Sequence, residues 1–411
     1  MRYPVMRYVV FALLMTACGL QSNTEDTTPT HTFTSQNTAQ NRTINLEIID
    51  RPTVQSDDLP PPNTIGPEAF PENINPLTGM PVDDPARLAR LPIVVKISNA
   101  PALVRPQAGL SQADVVFEHY AEGGLTRFSA VFYSEAPERV GSIRSARLID
   151  HELVPMFDGM LVFSGASLGV EKYIYGSAYV NDFYAHVEGI EDVFPGAPQP
   201  PSEYADRAYK GVLYGPPYFW RDEALPVPHN MFSDLRAIWE LAASDGHARR
   251  PRLQGMAFRE TLPADESGPA THIDIRYRST RVNWTYDAED DVYLRTADGT
   301  PHTDALTGER ITADNVVILF AEHTETEVVE SMWQGNPIWS LQIAVWGEND
   351  AVLFRDGRRY DGRWTRTIRE DIISLRTDSG EMLYLKPGTT WYQVVRAADQ
   401  QNPEEEWLIS E

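Results

Sequence analysis

The sequence has one cysteine among its 411 residues, which excludes a disulfide-stapled scaffold and a cysteine-ligated metal site. It is also poor in positive charge, with 35 lysines and arginines against 59 aspartates and glutamates and a net charge of −24. Binding to nucleic acid through bulk charge needs a basic face, because the phosphate backbone dominates the affinity. We therefore expect no nucleic-acid partner.

Long hydrophobic runs are missing as well. Charged residues make up 23% of the chain, and no internal apolar run approaches the twenty residues that span a bilayer. These two features exclude a multi-span membrane protein. Apolar residues nevertheless make up 42%, which is enough for a substantial core, and the length suggests two or three domains.

The first eighteen residues have the layout of a bacterial secretory signal. Arg2 and Arg7 provide a short basic region, and the apolar stretch after them is too short to cross a membrane. Small residues then precede Cys18, and the run from Met15 to Gly19 resembles a lipobox. We predict a signal peptide at 1–17, lipidation of Cys18, and anchoring on the extracytoplasmic face of the cell membrane. The alternative is a chance cysteine in an ordinary signal peptide.

The rest of the chain divides by composition. Residues 18–72 are polar and proline-rich and predict a disordered tether. An N-terminal domain is expected at 73–247, a linker at 248–270, a C-terminal domain at 271–398 and an acidic tail at 399–411.

The two expected domains differ in hydrophobic pattern. In the first, buried-strand runs such as Ile93–Ile97 and Met160–Phe163 alternate with helical patterns such as Ser233–Ser244, which predicts a layered α/β domain. In the second, Thr271–Tyr277 alternates with period two, and short apolar segments recur between glycine turns. This pattern predicts a mostly antiparallel β domain built of hairpins. The expected fold class is thus α+β with two domains.

Several short stretches are distinctive in combination. In the first half they are 75–79, 122–127, 140–147, 219–222 and 228–232, and in the second half 315–317, 354–357, 362–364 and 386–391. Together they resemble the YerB-like family of bacterial lipoproteins over about residues 73–397. The resemblance implies an extracytoplasmic lipoprotein with an N-terminal α/β domain and a C-terminal mostly-β domain. It implies no activity.

The clearest candidate site is a concentration of arginines in an otherwise acidic chain. Arg144 and Arg147 follow a predicted strand, and Arg127 precedes the same strand. If a helix begins at Ser142, Arg144 and Arg147 share one face of it. Guanidinium forks and free backbone N–H groups suit a phosphate or a carboxylate. The alternative is that the arginines form structural ion pairs with Glu122, Asp150 or Glu152.

A second candidate is the proline-rich loop that carries His229 and Asn230, because such a loop can hold a histidine for ligand contact or proton transfer. Arg221 lies shortly before this loop. The run from Ser164 to Ser167 follows a strand, as ligand loops do, but it is not a nucleophile elbow. No Walker loop, dinucleotide fingerprint or zinc-protease motif occurs, so no metal and no cofactor is predicted.

These residues favour a non-enzymatic binding or assembly module for an anionic cell-envelope ligand or a protein partner. The rival is an envelope hydrolase or transferase acting on a phosphate- or glycan-containing substrate, in which His229 or Glu122 moves protons. A third hypothesis is a purely structural protein that uses a sheet edge. Convergence of Arg144, Arg147, His229 and Glu122 on one pocket with a nearby carboxylate would favour the enzyme, and arginines without an acid or base would favour binding. Scatter of these residues into separate ion pairs would favour the structural role.

Overall fold

The structure is a computed structural model, and it describes residues 63–176, 202–211, 215–262, 267–402 and 407–410. The predicted signal peptide, Cys18 and the predicted tether as far as residue 62 lie outside the described residues.

Strands dominate the described chain. Those in its first part are β1 Thr64–Ile65, β2 Ile93–Ser98, β3 Val115–Tyr120, β4 Thr126–Phe132, β5 Val140–Gly141, β6 Met160–Phe163, β7 Ala208–Lys210, β8 Phe219–Arg221, β9 Met231–Ser233 and β10 Phe258–Arg259. Those in its second part are β11 Gly268–Pro269, β12 His272–Tyr277, β13 Thr280–Asp287, β14 Val292–Ala297, β15 Thr300–Pro301, β16 Thr312–Ala313, β17 Asn315–Ala321, β18 His323–Trp333, β19 Asn336–Ile343, β20 Gly347–Arg355, β21 Arg358–Arg366, β22 Ser374–Arg376, β23 Thr390–Arg396 and β24 Trp407–Ser410.

Three short α-helices are described: α1 Asp150–Met156, α2 Leu168–Tyr175 and α3 Leu235–Ser244. Helix α3 confirms the amphipathic pattern seen in the sequence. Asp234 caps it by accepting from the backbone N–H groups of the first turn, and its apolar side chains are buried. Single 3₁₀ turns lie at Pro85–Leu88, Ala102–Val104, Leu110–Gln112, Glu122–Gly124, Ala205–Arg207 and Ala398–Gln400.

The largest sheet combines strands from both halves of the sequence. Its order is β11-β21-β20-β17-β23-β3-β4-β2-β6-β7, with β22 beside β21. Strand β23, from near the end of the chain, lies between β17 and β3 and is parallel to both. Strands β2, β6 and β7 are also parallel, and the remaining pairs are antiparallel. The two halves therefore share one hydrogen-bonded surface.

Both faces of this sheet are covered at its centre, since β2, β3 and β4 are buried along their whole length. One face packs against the six-stranded sheet β15-β14-β13-β12-β24 with β16. There Trp284 of β13 contacts Trp391 of β23 edge to face. On the other face, Phe117 stacks on Tyr392 and meets Phe157 just after α1.

The predicted layered α/β character of residues 73–247 is not confirmed. The helices of this region are short, and one face of its central strands is covered by a second sheet instead of by helices. The mostly antiparallel β character of the C-terminal part is present, with the parallel contacts of β23 as the exception. Periodicity in the sequence identified some of the strands but could not assign their partners.

The described residues also form three smaller sheets: β1-β10, β5-β9-β8 and the hairpin β18-β19. Strand β1 lies within the last residues of the range predicted as tether, and β10 and β11 lie within the predicted linker. Strand β24, in the predicted acidic tail, pairs with β12.

Candidate functional site

The arginine segment lies at the carboxyl ends of parallel strands. The backbone N–H of Arg144 donates to the carbonyl of Lys96 in β2 (2.8 Å), and the N–H of Ser164, just after β6, donates to the carbonyl of Arg144 (2.9 Å). The segment therefore passes between the ends of β2 and β6, where α/β sheets commonly place ligands. A helix does not begin at Ser142, because these bonds hold the backbone extended and the helix begins only at Asp150, so Arg144 and Arg147 do not share a helix face.

Arg147 is the centre of a buried ion cluster. Its Nε lies 2.5 Å from Oε2 of Glu122, and its Nη2 lies 3.0 Å from Oε1 of Glu330 in β18. The side chains of all three residues are 8–9% exposed. The hypothesis of an ion pair with Glu122 thus describes Arg147 correctly. Asp150 and Glu152 pair instead with Lys96 and Arg366.

The two carboxylates of this cluster are not equivalent. Burial raises the pKa of Glu330 above its usual value, the nearby charge of Glu122 raises it further, and Arg147 opposes both effects. Glu122 also accepts from the backbone N–H of Leu341 in β19 (3.3 Å). The hairpin β18–β19 is therefore joined to the arginine segment by charge and by hydrogen bonds.

Arg127 lies beside this cluster without a direct ion pair among the described residues. It is 9% exposed, and its Nη1 donates to the carbonyl of Ser145 (2.7 Å). Burial lowers its pKa well below the usual value, and repulsion from Arg147 and Arg144 adds to this. The three arginines are therefore close enough to repel one another.

Arg144 and His229 form the outer part of the site. Nη1 of Arg144 donates to the carbonyl of Pro228 (3.1 Å), while its Nε is buried and has no partner within the described chain. Nδ1 of His229 is likewise buried and without a partner there. Burial lowers the pKa of His229, and the positive charge of Arg144 lowers it further. Arg144 and His229 thus each contribute one buried nitrogen atom that has no hydrogen-bond partner within the described residues.

Asn230 and Arg221 support the loop that carries His229. Nη1 of Arg221 donates to Oδ1 of Asn230 (2.7 Å), and Nδ2 of Asn230 donates to the carbonyl of Asp222 (3.1 Å). Asn230 is buried, whereas Arg221 is exposed. The structure therefore brings Arg127, Arg144, Arg147, Glu122 and His229 together and leaves Arg221 and Asn230 as their support.

Sequence reasoning missed two members of the site. Glu330 comes from a hairpin almost two hundred residues away, and its only sequence signal is the absence of lysine and arginine between Arg310 and Arg355. Lys96 is a charged residue inside the apolar run of β2, which was a usable signal. It is fully buried and contacts Asp150 at 3.0 Å.

The described cavities lie elsewhere. One of about 320 Å³ is lined by Asp114, Asp314, Thr389 and neighbouring loop residues. Burial raises the pKa of both aspartates, but their oxygen atoms accept hydrogen bonds from loop groups such as Asn75 and the Thr389 N–H. We place the candidate site at the arginines, because the carboxylates of this cavity already stabilise its own walls.

Within the described residues, no three histidine, cysteine, aspartate or glutamate side chains are grouped as a metal would need. Both ring nitrogens of His302 are engaged by Arg295 and Gln107. None of the described helices has the length and apolar character needed to cross a bilayer.

Comparison with known proteins gives two family matches in chain order. Residues 77–248 match "Protein of unknown function (DUF3048) N-terminal domain", and residues 273–392 match the corresponding C-terminal domain. The Bacillus subtilis (strain 168) protein called "Putative lipoprotein YerB" is 29% identical over 332 residues, which cover 79% of this chain and 86% of that protein. The crystal structure of the YerB protein from Bacillus subtilis superposes with a TM-score of 0.61 at 25% identity, covering 82% of this chain and 99% of that one.

Proposed function

The chain belongs to this DUF3048 family of proteins of unknown function, as its resemblance to YerB-like proteins indicated, and from the geometry of its own site we propose that it is a binding module for an anionic ligand of the cell envelope. The ligand group is a phosphate or carboxylate, bound by Arg144 and His229 with Arg127 behind them. The proposal rests chiefly on one observation, which is the pair of buried, unpartnered nitrogens on Arg144 and His229.

The charge balance of the chain supports this proposal. In a protein with 59 acidic and 35 basic side chains, an arginine usually finds a carboxylate partner. Among the described residues Arg127 and Arg144 have no direct ion pair, although Glu122 and Glu330 lie close by. A buried guanidinium without a counter-ion is costly, and an anionic ligand would lower that cost.

The same proposal includes a location. The relative from Bacillus subtilis is named as a lipoprotein, and this chain has Cys18 at the end of a signal-like segment. We propose that lipidated Cys18 anchors the chain to the extracytoplasmic face of the membrane, so that the membrane itself is one partner. Several acyl chains together bind a bilayer stably, at about 0.8 kcal/mol per buried methylene.

Replacing the anchor residue tests the location. Cys18→Ala is expected to move the chain from the membrane fraction to the soluble fraction and to abolish its labelling by radioactive palmitate, because no thiol remains to be acylated. Membrane fractionation and labelling measure this, with Ser22→Ala as the control. Unchanged membrane association of Cys18→Ala would contradict the proposed anchor.

Replacing Arg144 tests the ligand site. We expect Arg144→Ala to weaken binding of pyrophosphate to the full chain in detergent by roughly tenfold or more, since a charge-assisted hydrogen bond contributes about 1.5–3 kcal/mol. Isothermal titration calorimetry measures the affinity for soluble pyrophosphate. Sedimentation with phosphatidic acid vesicles, compared with phosphatidylcholine vesicles, distinguishes a lipid headgroup from a free anion.

Arg250→Ala is the matched control for this experiment. Arg250 is exposed, and it also donates from Nη1 to a backbone carbonyl, that of Glu72 (3.1 Å), so its removal changes the net charge equally. Binding that falls equally in both variants would mean that only overall charge matters. In that case the proposed site is wrong.

The second candidate function is an envelope hydrolase or transferase acting on a phosphate- or glycan-containing substrate. It is favoured by Glu330, a buried carboxyl group with a raised pKa beside two arginines, as a general acid would need. Turnover of a phosphodiester or glycan substrate that is lost in Glu330→Gln, with binding retained, would favour the enzyme. A purely structural role would leave both binding and turnover absent.

A further inference from the structure

The carboxylate of Glu330 occupies a corner of the site that is built for an anion. Its Oε1 lies 3.0 Å from Nη2 of Arg147, its Oε2 accepts from the hydroxyl of Ser340 (3.2 Å), and it also accepts from the hydroxyl of Ser167. The positive charge of Arg127 acts on it as well. Charged and hydroxyl donors thus converge on one carboxylate from three separate segments of the chain.

The start of helix α2 lies at the same corner. Ser167 is its capping residue, with Oγ 3.4 Å from the N–H of Val170, and the helix runs for eight residues. A helix start carries a partial positive charge and free N–H groups. The acidic residue of its first turn, Glu171, is already paired with Lys210 (2.5 Å), so it does not neutralise the corner.

The carboxylate of Glu330 is repelled in this corner by the carboxylate of Glu122. Glu122 binds the same guanidinium at 2.5 Å, so two carboxylates compete for Arg147. Like charges this close to each other raise the free energy of both ionised groups. The contact between Glu330 and Arg147 is therefore one that a better-matched anion can replace.

The strand that carries Glu330 belongs to a two-stranded sheet. The partner of β18 within the described residues is β19. Strand β18 also packs closely on α2, since a Cβ added to Gly169 of α2 would lie 2.2 Å from Cγ1 of Val328 in β18. With only two strands, the hairpin has few backbone hydrogen bonds to the rest of the structure. Its side-chain contacts at the arginine site can therefore be exchanged without disrupting the large sheet.

We propose that the corner formed by Arg147, Arg127 and Ser167 is a second anion subsite, which Glu330 fills until a ligand with two anionic groups displaces it. This inference rests on the proposed function, because the first anionic group of the ligand binds at Arg144 and His229. The ligand class is accordingly a diphosphate, or another molecule with two neighbouring phosphate or carboxylate groups.

Glu330→Gln tests the subsite. We expect the preference of the full chain for pyrophosphate over inorganic phosphate to rise by about tenfold, within the range typical of coupled sites, because the competing carboxylate is gone. The ratio of the two dissociation constants is measured by calorimetry in detergent. Glu327→Gln is the control, since it removes the same charge from an exposed position on the same strand and should leave the ratio unchanged.

Gly169→Ala provides an independent variant that alters no charge. The added methyl group meets Val328 and pushes β18 away from α2, so we expect the same rise in preference for pyrophosphate. Because Gly169→Ala leaves every charge of the ion cluster in place, a rise in preference in this variant cannot come from the lost charge of Glu330.

The outcomes separate the two proposals. Arg144→Ala could weaken the binding of both anions while Glu330→Gln and Gly169→Ala leave the ratio of the two dissociation constants unchanged. In that case the second subsite is wrong and the proposed function stands. If neither anion binds the wild-type chain or any variant, both the second subsite and the proposed function are wrong. A raised ratio in Glu330→Gln and Gly169→Ala, with Glu327→Gln unchanged, supports both.

Discussion

Arg295→Met is expected to lower the free energy of unfolding by about 3–5 kcal/mol, because it leaves a buried carboxylate without its cation. Nη2 of Arg295 in β14 donates to Oε2 of Glu118 in β3 (2.7 Å), and both side chains are fully buried. The other oxygen of Glu118 accepts from Asn99 and Thr126 (both 2.9 Å), so the carboxylate is fixed in place. Urea unfolding followed by tryptophan fluorescence measures the loss.

Aromatic rings and a histidine surround the guanidinium of Arg295. The rings of Phe128 and Trp391 lie within 5.3 Å and 5.2 Å of the guanidinium carbon. Nη1 of Arg295 donates to Nδ1 of His302 (2.6 Å), and burial together with this positive charge lowers the pKa of His302 well below its usual value. The histidine is therefore neutral and accepts the bond.

A matched control separates the buried pair from a generic arginine effect. Arg363 pairs with Glu348 and Asp350 on the surface and is 40% exposed, so Arg363→Met should cost less than about 1 kcal/mol. The double variant Arg295→Met with Glu118→Leu should recover much of the loss, because it removes both charges. Equal losses for Arg295→Met and Arg363→Met would contradict the argument.

Lys96→Met is the second substitution with a large expected effect, again a loss of about 3–5 kcal/mol in the free energy of unfolding. Nζ of Lys96 lies 3.0 Å from Oδ1 of Asp150 and bonds to Ser129 (2.6 Å) and His119 (2.9 Å), all of them buried. Methionine fills the same volume but leaves Asp150 without a counter-ion. The double variant with Asp150→Asn should be more stable than Lys96→Met alone, and a failure to recover would contradict this account.

The pH dependence of the same residue gives a second readout. Burial lowers the pKa of Lys96 from its usual 10.5 to about 8, and Asp150 opposes this shift. Between pH 8 and 10.5 the unfolded chain therefore holds the proton and the folded chain does not, so stability rises with pH. Relative to Lys96→Met, we expect the wild-type chain to gain up to about 3 kcal/mol over this window, at 1.36 kcal/mol per pKa unit. A difference that stays constant across the window would show that Lys96 is not titrating there.

Local pattern was enough to identify several elements of the fold. The apolar run at residues 93–97 corresponds to β2, the run at 160–163 to β6, and the amphipathic pattern ending at Ser244 to α3. Each of these depends on neighbouring residues alone. The pairing of β23 with β3 depends on residues that lie far apart in the chain, and no periodicity reports such a pairing.

The candidate site was predictable in part for the same reason. Arg127, Arg144 and Arg147 stood out because positive charge is scarce in this chain, and the structure brings them together. Their orientation was not predictable, since the extended backbone at Arg144 is held by Lys96 in β2 and by Ser164, which directly follows β6. The place of Glu330 in the site was not predicted, because acidic residues are common in this chain. Only the folded hairpin brings Glu330 to Arg147.

The position of β23 has a consequence for how the protein is made. Thr390 faces Val115 on one side and Asn315 on the other, so the middle of the large sheet stays open until almost the whole chain has been synthesised. Until then β3 and β17 expose apolar strand edges to pairing with other chains. These contacts join residues almost three hundred positions apart in the chain, and contacts of such long range slow folding because the intervening chain must be ordered before they form.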